Sequence, residues 1–76
     1  MSADIRNKKG GGMIYQYFVL TYENKYFQGF YSDGIFTTEI RCAKEFFSVE
    51  EIIDFIKNNK ELSVYYFEIK TFIRND

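Results

Sequence analysis

Two hydrophobic periods divide this 76-residue chain. Between Ile14 and Cys42, apolar and polar residues alternate, with breaks at Glu23-Asn24-Lys25 and Asp33-Gly34. A period of two is the pattern of half-buried strands. Across residues 47–59 the spacing changes. Val49, Ile52, Ile53 and Ile56 fall at i, i+3, i+4 and i+7, one stripe of a helix, and Phe55 widens it on one flank. Alternation then resumes through residues 62–73. The chain therefore predicts strands over 14–22, 26–31, 35–42 and 62–73, with a single helix before the last.

The helix has its own start and stop signals. Ser48 with Glu51 three residues later is a capping box, in which Ser48 Oγ accepts from the Glu51 N–H and the Glu51 carboxylate reaches back to the Ser48 N–H. Phe47 and Ile52 have the spacing of a hydrophobic staple. Glu50 and Glu51 lie in the first turn and Lys57 in the last, as the helix dipole favours. Asn58 and Asn59 can adopt a left-handed conformation and so end the helix.

Asp33-Gly34 is a strong signal for a two-residue type I′ hairpin, which needs positive φ at both central positions. It predicts Tyr31 opposite Phe36, Gly29 opposite Thr38 and Phe27 opposite Ile40. The first hairpin turns at Glu23-Asn24 or Asn24-Lys25. Phe18, Leu20, Tyr22, Phe27 and Tyr31 then share one apolar face, joined by Tyr65, Phe67, Ile69 and Ile73. Gly29 gives room to a bulky neighbour or marks a bulge.

The fold class expected is α+β: a four-stranded, mainly antiparallel sheet in the order β-β-β-α-β, with one helix on one face. The helix should return strand four parallel to strand one, beside it, by a right-handed crossover, giving sheet order 3-2-1-4. Order 4-3-2-1 is the alternative.

One helix shields one side of a sheet. The other side then shows Tyr15, Tyr17, Val19, Phe30, Val64 and Tyr66, among Thr, Gln and charged residues. A contiguous apolar patch usually marks a contact surface. These six residues are therefore the candidate partner-binding set, for a homodimer or another protein; an open sheet edge is a further contact site. The same aromatics could stack the bases of a single-stranded nucleic acid. A solvated face with no partner is the plain alternative.

Composition narrows these readings. Nine Phe and seven Tyr make a dense core feasible in a short chain. Residues 1–12 carry Arg6, Lys8 and Lys9 against Asp4, leaving 7 basic and 10 acidic residues from Met13 onward. An acidic body does not favour a phosphate backbone as partner. Residues 1–12 read as a disordered leader, either an expression remnant before Met13 or a native basic arm, and 13–76 as one domain. No apolar run approaches the length of a membrane span. The single Cys42 fits a reducing, cytoplasmic compartment and reads as a small buried residue ending strand three.

There is no His, no Cys-His cluster and no glycine-rich phosphate loop opening a helix. No enzyme, cofactor or metal site is expected. Ala43-Lys44-Glu45-Phe46 followed by Ser48-Val49-Glu50-Glu51 resembles a strand–linker–helix pattern of small uncharacterised phage and prophage proteins. The resemblance covers about a third of the chain, and its motifs are structural. It implies a cytoplasmic accessory protein of a mobile element that binds a host or phage protein, inhibition of a host defence being one version.

Overall fold

Glu23 and Asn24 both hold positive φ, 51° and 65°. They form the two central residues of a tight hairpin between β1, Ile14–Tyr22, and β2, Lys25–Tyr31. The computed structural model describes residues 14–75. The leader expected over 1–12 lies outside them.

The second hairpin departs from expectation. Positive φ falls on Gly34 (124°) and not on Asp33, so the turn residues are Ser32 and Asp33. Tyr31 pairs with Gly34 instead of Phe36. The register then slips again, and Phe27 meets Phe36 and Tyr26 meets Thr37. The slip is a bulge over Gln28, Gly29 and Phe30, with Gly29 at φ 107°. A Cβ there would meet only the Tyr31 ring, at an ordinary 3.4 Å. The backbone angle, not space, is what calls for glycine. Gln28 Nε2 donates to the Gly34 carbonyl across the bulge at 3.0 Å. Both slips are even in count, so Phe27 and Phe36 still share the helix side, as predicted.

β3 is short, Gly34–Thr37. The expected continuation to Cys42 fails because the Glu39 N–H turns back to Thr37 Oγ1 at 3.1 Å. A 3₁₀ turn, Ile40–Cys42, follows. Cys42 is exposed on it, not buried in a strand.

Residues 43–46 then enter the sheet. The Lys44 N–H donates to the Phe27 carbonyl at 2.9 Å. Phe18 and Phe46 exchange both backbone bonds, at 2.7 and 2.9 Å, as an isolated antiparallel bridge. β1 and β2 pair directly only at Thr21–Tyr26 and Tyr22–Lys25. Beyond that the linker supplies the missing partner groups. Phe46 is thereby fully buried and joins Leu20, Phe27, Ile52 and Leu62 in the core.

The helix α1 spans Val49–Asn58. Ser48 Oγ accepts from the Glu51 N–H at 3.0 Å, as the capping box predicts. The Glu51 carboxylate accepts from the Phe47 N–H at 2.8 Å, one residue earlier than expected. Phe47 itself is 56% exposed and lies outside the core, so Phe46 takes the place foreseen for the staple. The stop is an amide: Asn59, at φ −135°, donates from Nδ2 to the Phe55 carbonyl at 2.8 Å. Of the predicted stripe, Ile52, Phe55 and Ile56 pack inward, while Val49 and Ile53 are exposed.

A second 3₁₀ turn, Lys60–Val64, replaces the start of the predicted last strand and buries Leu62. β4 is Glu68–Asn75. The sheet order is 3-2-1-4, as favoured. β4 runs antiparallel to β1, however, where a parallel return was expected. The linker explains the reversal. It already carries the chain down alongside β1, so α1 brings it back towards Tyr22, where Tyr65 packs on that ring, and β4 must descend. The crossover handedness rule, which concerns parallel strands, has no role here.

Phe46 and Phe47 look alike in sequence and differ in burial. Phe46→Ala should cost about 3–5 kcal/mol in urea unfolding, enough to unfold much of a domain this small. Phe47→Ala should cost no more than about 0.5 kcal/mol.

Candidate interaction surface

The far side of the sheet is built from alternate residues of β1 and β4. Their register sets Tyr15 beside Arg74, Tyr17 beside Phe72, Val19 beside Lys70 and Thr21 beside Glu68. Tyr17 and Phe72 stack, with ring centroids 5.6 Å apart and planes 22° from parallel. The Arg74 guanidinium lies 5.1 Å from the Tyr17 ring centre and 5.8 Å from that of Tyr15. A cation over an aromatic face is attracted by the ring quadrupole.

The linker holds this cluster. Phe46 points to the core, so its neighbour Glu45 points the other way. Glu45 receives Arg74 in a two-pronged ion pair, Nη1 to Oε2 at 2.8 Å and Nη2 to Oε1 at 3.1 Å. The planar fork fixes the guanidinium over the tyrosines. The result is an ordered ladder of Tyr15, Tyr17, Phe72 and Arg74.

Beyond Phe72 the face opens into a hollow of about 680 Å³, walled in part by Thr21, Tyr26, Tyr66, Glu68 and Lys70. Thr21 is buried and donates to the Glu68 carbonyl at 3.3 Å. Lys70 and Glu68 stand exposed, 3.9 Å apart. The face and its hollow thus carry Arg74 and Lys70 against Glu23, Glu45 and Glu68. Among the described residues no group of three or more acidic or thiol side chains is placed to hold a metal. No helix among them is long and apolar enough to cross a membrane.

Of the six predicted contact residues, Tyr15 and Tyr17 lie where expected. Val19 is on this face but 0% exposed, flanked within the sheet by Lys70 of β4 and by the linker bridge at Phe18. Phe30 is on the opposite side: the Gly29 bulge swings it under the helix, where it stacks on Phe55 at 6.2 Å. Val64 belongs to the second 3₁₀ turn and is off the sheet. Tyr66 precedes β4 and stands 91% exposed at the rim of the hollow.

Phe72 and Arg74 were missing from that set, although they continue the alternation of Glu68 and Lys70 along β4. Glu45 had no signal, because its place depends on the linker joining the sheet.

Comparison of the chain with protein-family models, with curated proteins and with solved structures finds no match in any of the three.

Removing Glu45 should loosen the ladder without unfolding the domain. Glu45→Ala should cost below about 1 kcal/mol, as partly exposed ion pairs do. The Arg74 side-chain protons should lose the upfield ring-current shift imposed by Tyr15 and Tyr17, measured by proton NMR.

Proposed function

We propose that this protein is a small non-catalytic binding module that docks another protein on the open sheet face. The observation that carries this reading is the ordered ladder of Tyr15, Tyr17, Phe72 and Arg74 beside an open hollow. Aromatic and arginine side chains are the residue types enriched at protein interfaces. Side chains already held in place lose less entropy on binding. Mixed charge with a slight acidic excess favours a protein of mixed surface over a polyanion. A cytoplasmic accessory role in a phage or other mobile element, including inhibition of a host protein, is the setting we favour, on the strength of the linker and cap pattern alone.

A guanidinium stacked on two tyrosines would also suit unpaired bases, so single-stranded nucleic acid is the second reading. The carboxylates on the same face weigh against it.

Affinity capture from the native host compares the wild-type chain with Tyr17→Ser/Phe72→Ser. A protein retained by the first and lost by the second is expected. Identical retention contradicts the sheet face as the site. Fluorescence anisotropy with single-stranded oligonucleotides at low salt should show no binding. Binding that weakens steeply with added salt would instead support the second reading.

A further inference from the structure

One guanidinium of this chain is gripped on the far face. Tyr15 and Tyr17 lie against Arg74, and the Glu45 carboxylate takes it with two prongs. The grip uses two kinds of group, aromatic rings and a carboxylate. A planar cation suits both, since its flat side meets the ring quadrupole and its N–H fork matches a carboxylate.

The hollow beyond Phe72 presents the same two kinds of group. Tyr26, Tyr66 and Phe72 line it together with Glu23 and Glu68, and among the described residues no arginine does. Its volume of about 680 Å³ is that of a small-ligand site. Neither Tyr26 nor Tyr66 makes a ring contact with another described residue, so both rings stand ready for a guest. Glu23 sits on the tight β1–β2 turn and has no ion pair among the described residues. Glu68 meets the Lys70 ammonium at 3.9 Å, between exposed side chains. Such a pair contributes little and exchanges easily. With Lys70 counted, the Glu23 and Glu68 carboxylates leave the hollow with a negative excess. Beneath it, Thr21 keeps its hydroxyl on the main-chain carbonyl of Glu68, tying β1 to β4.

We propose that the hollow receives an arginine side chain of the protein docked on this face, its guanidinium on the Glu23 and Glu68 carboxylates and its stem along Tyr26, Tyr66 and Phe72. The negative excess selects a cation. The rings select one with a flat organic body over a hydrated inorganic ion. Guanidinium is favoured over ammonium because it is more weakly hydrated and stacks on aromatic faces. A nucleic-acid strand would set its phosphates against the same carboxylates. The source of the arginine rests on the docking reading above; the guanidinium site does not, and is tested without a partner.

Amide proton–nitrogen NMR of the full chain, titrated with N-acetyl-arginine amide at low salt, reads the site directly. The amides of Thr21, Tyr26, Glu68 and Lys70 should shift saturably, with a Kd roughly in the millimolar range. N-acetyl-citrulline amide, the neutral isostere, should bind about tenfold more weakly or worse. N-acetyl-lysine amide should also bind more weakly than the arginine probe. Glu23→Gln/Glu68→Gln should lose the saturable shifts with the circular dichroism unchanged. Tyr66→Ala, at a site too exposed to affect folding, should weaken binding about threefold or more. A protein captured from the host by the wild-type chain should be displaced by the arginine probe and not by the citrulline one. The proposal is overturned by an absence of saturable shifts at the hollow, by citrulline or lysine probes that bind as tightly as arginine, or by binding unchanged in Glu23→Gln/Glu68→Gln, whatever the host capture shows. Arginine bound in the hollow, with host capture indifferent to Tyr17→Ser/Phe72→Ser, leaves the guanidinium site standing and overturns the docked protein as its source.

Discussion

Three backbone hydrogen bonds hold residues 43–46 between β1 and β2, and the rest of the architecture follows from them. Two strands that part after two paired residues would leave buried N–H and C=O groups unmet, at a cost of about 1–3 kcal/mol each. The linker meets those of Phe18 and Phe27. In doing so it drives Phe46 into the core and turns Glu45 outward. It also uses one pass of the chain, which decides that β4 descends antiparallel to β1.

The same insertion links the two surfaces. On one side, Glu45 fixes Arg74 over Tyr15 and Tyr17. On the other, Lys44 lies 5.4 Å and 5.1 Å from the ring centres of Phe46 and Phe55, joining the linker to the helix on its β2 flank. The helix sits towards β2 as a result, and the inner side of β4 stays open. Apolar surface is left over in this molecule, but part of it lies on the helix side of β4, at Ile69 and Ile73, and not on the far face.

What was legible in the chain was local and periodic. The cap at Ser48, the helical spacing of Ile52, Phe55 and Ile56, and the alternation of β1 each reflect contacts within a few residues. Sheet order was legible too, because a strand following a helix finds its neatest place beside β1. Misreadings began where distant segments compete. Asp33-Gly34 carries the composition of a type I′ turn, yet positive φ fell on Gly34 alone once Gln28 and Gly29 bulged. Phe30 kept its strand-like neighbours and changed face with that bulge. Residues 43–46 carry no alternation long enough to announce a strand, and nothing within them distinguishes Phe46 from Phe47. Val64 and Tyr66 alternate well but follow a 3₁₀ turn that Leu62 anchors in the core.

The role of the linker as an internal strand can be read from native-state hydrogen exchange. The amides of Lys44 and Phe46 should exchange only with global unfolding, at the same free energy as those of β1 around Leu20. Exchange of both at the rate of an exposed loop, with Leu20 still protected, would contradict the account.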